Sequence, residues 1–446
     1  MALDAEACPA CQDLAFKRSR DEHGAENPKV TLALCDAGLR LFVPSVNGGW
    51  PDIFWEADDP NASFSEDVIP SCLSILPHSG TTAAFERVAA WLAYCSAHHA
   101  MCRTPGDGNF IPKRLLDVGS AGEVGKGAPD FVRLVELGTA QPRKSTVPYA
   151  ALSYCWGGDL TGIVTTTKLT VGAHYRGIPL DALPKSIADA VLVCRGVGIP
   201  YLWVDALCIV QDDEDDWRRE SSQMDAVYIN SHVTIAAHRA TSCGDGFLGE
   251  QVYGQPDWQR TFTTTLWPRG TRNSQKPGQT KMLLRQNNSP RSWAARAADD
   301  QRSSALMRRG WVLQESLLPQ RIIHYTEKEM AWECVGSCTC ECGHVERDQE
   351  NTTLLKTHIL QGGSVWQEEF PEAVWLRLVE EYTRRSLSRT SDKLVAVSGL
   401  AKCLFAGGAE TSRRPAESPN PGEVALRTAP PPGAGLRSIA LSHMIY

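Results

Sequence analysis

In RGWVLQESLLPQ, residues 309–320, an indole and a carboxylate stand four positions apart, Trp311 and Glu315. On a helix that spacing puts both on one face. An aromatic wall beside a carboxylate can support a flat ring and steady positive charge. The alternative is that Glu315 fixes the helix by pairing with Arg308, Arg309 or Arg321. A second carboxylate, Asp205, follows the apolar run YLWV in YLWVDALCIVQDD. If that run is a parallel strand, Asp205 stands at the edge where open α/β sheets hold their ligands, with Trp203 on the same strand face. Asp205 then either touches a ligand or caps the turn that follows. A third group, Ser153, Tyr154, Trp156, Gly157 and Gly158, forms a strand-to-turn corner in SYCWGG. Gly157 and Gly158 either admit a phosphate close to the backbone or simply make the turn, and Trp156 reads as core.

Fifteen cysteines are many for this length. Cys155, Cys194 and Cys208 lie inside apolar runs and read as small buried hydrophobes. Cys208 has no adjacent histidine or basic cluster that would turn it into a nucleophile. Two groups have ligand-like spacing. In one, Cys334 and Cys338 are followed by Cys340, Cys342 and His344; it can be a zinc site or a strand whose thiols alternate between faces. In the other, Cys8 and Cys11 form a C-x2-C pair, and Cys95 and Cys102 flank His98 and His99. These either share one metal or are separate thiols.

Such residues need a scaffold. Hydrophobic residues make up 42% and charged ones 22%, the balance of a globular chain. A net charge of −7 argues against a nucleic-acid partner. No apolar run is long enough to span a bilayer, and the acidic N-terminal stretch does not read as a secretory signal. The expectation is therefore a cytoplasmic protein without a membrane partner. TTAAFERVAAWLAYC has Phe85, Val88, Trp91, Leu92 and Cys95 at helical spacing behind a threonine cap. KRLLDVG and DFVRLVEL read as short strands. LPKSIADAVLVCRGVG reads as a helix with Pro184 in its first turn and Gly196 or Gly198 at its end. YLWVDALCIV reads as one continuous strand covered on both faces, DDWRRESSQMDAVYIN as one amphipathic helix, and SHVTIAAH, RIIHYT and EMAWEC as strands. Strand–helix alternation from 149 to 335 predicts an α/β unit. Around it, residues 1–80 read as irregular, 81–146 as a helical lead-in with short strands, 250–305 as a long insertion, 336–404 as mainly helical and 405–446 as a disordered tail.

Three blocks, YAALSYCWGG (149–158), LPKSIADAVLVCRGVGIPYLWVDALCIVQDDEDDW through SHVTIAAH (183–238) and RGWVLQESLLPQRIIHY (309–325), resemble the fungal heterokaryon incompatibility domain. The resemblance covers roughly residues 147–335; WLAYCSAHHAMC and IPKRLLDVG are similar to its usual lead-in, and RTSDKLVAVSGLA to the segment that follows. It implies a protein that triggers programmed cell death in non-self recognition, through self-association or another incompatibility-pathway protein. That domain is in turn similar to the Toll/interleukin-1 receptor fold, which implies a flavodoxin-like, mainly parallel sheet with helical flanks. Trp311 and Glu315 repeat the W-x-x-x-E spacing of its NAD-cleaving members. What this implies is NAD hydrolysis, with Glu315 catalytic and Asp205, Trp311, Ser153, Gly157 and Gly158 around the nucleotide, Asp205 at the ribose. NAD is then a substrate, and no resident cofactor or metal ligand is expected. A non-enzymatic signalling module of the same fold and a zinc-stabilised regulator are the competing expectations.

Overall fold

The computed structural model describes residues 31–35, 38–42, 50–56, 71–102, 110–119, 129–137, 147–158, 163–255, 259–266, 278–287, 304–341, 356, 359–360 and 371–410. The first of these are strands β1 (Thr31–Cys35), β2 (Gly38–Phe42), β3 (Trp50–Glu56) and β4 (Ser71–Cys72). Helix α1 (Thr82–His98) opens where Thr81 Oγ1 accepts the Ala84 amide, and it buries Phe85, Val88, Leu92 and Cys95. Strands β5 (Arg114–Asp117), β6 (Phe131–Glu136) and β7 (Tyr149–Ser153) follow, then the short α2 (Val171–His174) and β8 (Ile178–Pro179). Helix α3 (Lys185–Val197) ends on Gly198 at φ 82°, whose amide closes on the last carbonyls of the helix.

Strand β9 stops at Trp203 (Tyr201–Trp203), and Asp205–Cys208 is a one-turn helix, α4. The continuous strand expected over 201–210 is thus cut in half. Its apolar residues are buried in either conformation, so hydrophobicity alone does not separate them. The single helix expected over 215–229 is two, α5 (Glu214–Ser221) and α6 (Met224–Ile229). Strand β10 (Val233–Ala236) comes next, then β11 (Gln259–Leu266) and β12 (Gly278–Asn287). Helix α7 (Val312–Leu317), strands β13 (Arg321–Tyr325), β14 (Met330–Cys334) and β15 (Cys338–Cys340), and helices α8 (Pro371–Thr383) and α9 (Val395–Glu410) complete the order. Segment 1–80, read as irregular, carries strands, and so does 250–305, read as a long insertion: β3, β4, β11 and β12 form a four-stranded sheet. Of the tail, 411–446 lies outside the described residues.

The main sheet has nine strands in the order β15-β14-β13-β10-β7-β9-β5-β6-β8. Only β13, β10, β7 and β9 run parallel to one another; every other pairing is antiparallel. The sheet is mixed, which corrects the expectation of a mainly parallel one. The reason is readable in the connections. Only four residues join β13 to β14, too few for the crossover a parallel pair needs. Strand β6 alternates exposed and buried residues, the mark of a strand with one wet face, whereas β7, β10 and β13 are buried at every position.

The four strands expected to share a sheet, near 150, 203, 235 and 323, do share it. From β7 the chain crosses to β9 on one side, and from β9 it returns past β7 to β10 on the other. The crossovers diverge at β7, so a topological switch point lies beyond its carboxyl end. Helix α1 packs on α3 at Gly196, where a β-carbon would come 2.4 Å from the Phe85 ring. Among the described residues, no helix is long and apolar enough to cross a membrane.

Candidate functional site

Beyond the carboxyl ends of β7 and β9, residues from three parts of the chain converge. Ser153 is the last residue of β7, and its hydroxyl donates to Glu315 Oε2 at 2.5 Å. Glu315 reaches it from α7 and is only 5% exposed. The Trp156 indole donates to Asp205 Oδ2 at 2.9 Å, and Asp205 Oδ1 accepts the Ala206 amide at 2.7 Å. Asp205 thus opens α4, and the Gln211 amide group holds its carbonyl at 2.9 Å. Asp205 is therefore the first residue of α4 rather than its N-cap, which is Val204 with no side-chain cap, and it lies two residues past the end of β9.

A cation joins these two carboxylates. Arg309 donates from Nη1 to the Tyr154 carbonyl, and its charge acts on both Glu315 and Asp205. Its loop is clamped: the Gly310 amide donates to the Ser386 carbonyl at 2.7 Å, and the Ser386 amide to Arg308 at 2.6 Å. A β-carbon on Gly310 would strike Leu387 at 2.5 Å, so glycine lets this clamp close. Tyr228 and Tyr154 border the cluster, the Tyr228 hydroxyl donating to the Leu152 carbonyl at 3.3 Å, and they help hold down the carboxyls of Glu315 and Asp205 respectively. Trp203 packs edge-on against Tyr228 beneath them, ring centroids 5.8 Å apart.

Burial sets the electrostatics. It pushes the Glu315 carboxyl above the usual carboxylate range, against the pull of Arg309 and the hydrogen bonds of Ser153 and Tyr228. Burial likewise raises Asp205, against Arg309 and the hydrogen bonds of Trp156, Ala206 and Tyr154. For Arg309 burial works against the charge, yet Glu315 and Asp205 outweigh it and hold the guanidinium above its ordinary value. Ser153, Tyr154, Tyr228 and Glu315 form the buried end. Asp205, Trp156, Gly157 and Arg309 are partly exposed and Gly158 is exposed. The cluster has a closed floor and an open rim.

Of the residues singled out in the sequence, Ser153, Asp205 and Glu315 come together, with Trp156 joining Asp205 rather than serving only as core. Trp311 diverges: its indole donates to Asp392 Oδ2 at 3.2 Å. Gly157 sits at φ 100°, and a β-carbon there would lie 2.9 Å from Ser242 Cβ, so its glycine belongs to the turn. Gly158 has open space where a side chain would be. Cys208 is buried, and burial pushes its thiol up to about 12. Arg309 and Tyr228 are the members that sequence reading missed as site residues. Arg309 had a signal, being two residues before Trp311, but was weighed only as a structural partner of Glu315.

The cysteine groups are redistributed. Cys338–Cys340 is a strand, while Cys8, Cys11, Cys342 and His344 lie outside the described residues. Cys334 leaves its sequence neighbours and meets Cys95, His99 and Cys102.

Residues 149–315 match the family model of the heterokaryon incompatibility protein (HET), from the first residue of β7 to Glu315. The chain therefore carries a heterokaryon incompatibility domain, and the converging cluster lies inside it. Comparison with curated proteins and with solved structures gives no match.

Proposed function

We propose that this heterokaryon incompatibility-type protein triggers cell death by hydrolysing NAD at the cluster of Ser153, Asp205, Arg309 and Glu315. One observation carries the reading: two carboxylates, a hydroxyl and a guanidinium from distant segments meet at a topological switch point, buried at one end and open at the other. In the reaction the bond between ribose C1′ and the nicotinamide nitrogen breaks, and its electron pair leaves with nicotinamide. Positive charge grows on the sugar; water then adds its oxygen to C1′ and releases a proton. Carboxylates held in a water-poor site stabilise such a cation strongly. Glu315 takes that role, Asp205 at the partly exposed rim takes ribose hydroxyls, and the open space at Gly158 leaves room for a phosphate. The burial of Glu315 makes the resting chain inactive, and self-association or a partner in the incompatibility pathway opens the site.

The test uses purified full-length chain, concentrated until it self-associates, with NAD and chromatographic detection of nicotinamide. Wild type is expected to release nicotinamide, and Glu315→Gln to lose roughly a hundredfold or more of that rate while remaining folded. A folded, self-associating wild type that releases none, yet kills fungal cells on expression, overturns the enzymatic reading. A non-enzymatic assembly module is the second reading. It is favoured by the burial of Glu315 and by the tie between Trp311 and Asp392, which together make α7 a packing helix.

A further inference from the structure

Cys95 lies in the last turn of α1, and His99 is the residue that closes that helix. Cys102 ends the 3-10 turn Ala100–Cys102, with its amide donating to the His99 carbonyl at 3.0 Å. Cys334 comes from elsewhere, the end of β14 at the tip of the β14–β15 hairpin, 235 positions from His99. One ligand atom from each of the four lies within 4.8 Å of all the others. Cys334 Sγ is 3.3 Å from His99 Nδ1. A tetrahedral zinc ion with ordinary Zn–S and Zn–N bonds spaces its ligand atoms roughly 3.5–3.8 Å apart. The four groups stand at the corners of such a site with only small adjustments to make.

Arg321 supplies a second, independent observation. It is 3% exposed, and among the described residues no carboxylate lies within ion-pair distance of it. Its Nε donates instead to Cys95 Sγ at 3.3 Å, while its two terminal nitrogens donate to the carbonyls of Cys102 and His232. A buried guanidinium facing neutral thiols is poorly compensated. Three thiolates around a divalent cation carry one net negative charge, which a single arginine balances. A metal–thiolate centre supplies the negative charge that this buried arginine faces. The loop is shaped to the site as well. A β-carbon on Gly336 would come 3.0 Å from His99 Cγ, and Ser337 Oγ lies 3.5 Å from Cys334 Sγ.

We propose that Cys95, His99, Cys102 and Cys334 form a structural zinc site that staples α1 to the β14–β15 edge of the main sheet. The three thiols are buried and only His99 is partly exposed. Four protein ligands leave no open position, as in structural rather than catalytic zinc sites, and three soft sulfurs with one imidazole suit zinc over magnesium or calcium. Every ligand lies outside the 149–315 match: three precede it and one follows it. The ion fastens the incompatibility domain from both sides in sequence, at a site separate from the carboxylate cluster.

Elemental analysis of untagged full-length protein, purified without chelator, is expected to give about one zinc per chain. An organomercurial thiol reagent titrated into this native protein should release the zinc in step with modification of three thiols, a readout that needs no variant. Exchange into cobalt(II) should give the intense visible bands of a tetrahedral thiolate site. Cys334→Ser should lose the metal, His99→Cys should keep it by supplying a fourth thiolate, and Cys338→Ser should be indistinguishable from wild type. Absence of zinc and of a tetrahedral cobalt spectrum in folded wild type overturns the proposal. So does a disulfide among Cys95, Cys102 and Cys334 in protein prepared anaerobically with zinc supplied, or zinc fully retained in folded Cys334→Ser.

Discussion

Two buried polar clusters, each built around one arginine, divide the labour of this molecule differently. At the switch point the charge of Arg309 acts on both Asp205 and Glu315, hard oxygen donors whose pKa values burial has raised. At the sheet edge Arg321 stands beside Cys95, in a set of soft donors that close on one another. The first cluster has an open rim and two charges held against burial. The second has four ligands and no vacant side. A site strained electrostatically and partly open is suited to act on something that enters; a site that is closed and self-satisfied is suited to hold a fold together.

The largest expected effect falls on the closed cluster. Arg321→Met leaves a negatively charged metal–thiolate group buried without its cation, and should cost about 3–5 kcal/mol, as breaking a buried pair from one side does. Denaturant unfolding of the zinc-loaded protein measures it, and a loss below 1 kcal/mol would break the contrast drawn between the two arginines.

The open cluster should show the opposite sign at Glu315. A carboxyl whose folded pKa is raised binds its proton more tightly in the native than in the unfolded chain. Stability then falls as pH rises from the unfolded carboxyl value, about 4.3, up through the folded one. Glu315→Gln removes that penalty and keeps an acceptor for Ser153. Its melting temperature should exceed that of wild type at pH 7–8, by about 2–4 °C for each kcal/mol relieved, and the gain should vanish near pH 4. A variant that melts lower than wild type at pH 7 would instead make Glu315 a structural ion-pair partner. Glu333 provides the internal control. Burial works to raise it, but Lys356 and His324 overcome that and hold it down to about 2. Its contribution should be present above the unfolded value and lost as pH falls toward 2.

Two smaller changes sharpen what the staple does for α1. Gly196→Ala drives a methyl group into the Phe85 ring and should cost about 1–3 kcal/mol by overpacking. Thr81→Ala removes the cap on the Ala84 amide and should cost about 1 kcal/mol. If zinc is the stronger anchor of α1, both should cost more in chelator-treated than in zinc-loaded protein, a coupling that a thermodynamic cycle detects. Equal costs in the two states would show that α1 holds its place through α3 alone.

Local pattern was enough for much of this. Tyr149–Ser153 and Val233–Ala236 are mostly apolar runs of strand length, and each is a strand of the main sheet buried at every position, as is Arg321–Tyr325 with its two isoleucines. Helix α3 announces its end because only glycine takes the backbone of residue 198 without strain. Ser153, Asp205 and Glu315 could be picked out because their residue types are out of place beside apolar runs. The four-residue link between β13 and β14 also forbade a parallel pairing, a constraint present in the sequence and not used.

Other features are set by geometry that no short window contains. Whether 205–208 extends a strand or turns into a helix depends on what packs around it, since Ala206, Leu207 and Cys208 are buried in the result. Arg309 and Arg321 read alike as arginines near a helix. Only the fold gives one two carboxylates and the other a thiol. Cys334 carries the same lesson. Its spacing to Cys338 suggested a pair, but neighbours on a β-hairpin face according to the pleat, and the turn at Gly336 delivers Cys334 to the end of α1 instead. The sequence by itself determined which segments are buried and which residue types are chemically unusual, because hydrophobic burial and glycine's backbone freedom act locally. Only the tertiary structure decided which unusual residues meet, because ligand and charge partners are chosen by distance in space.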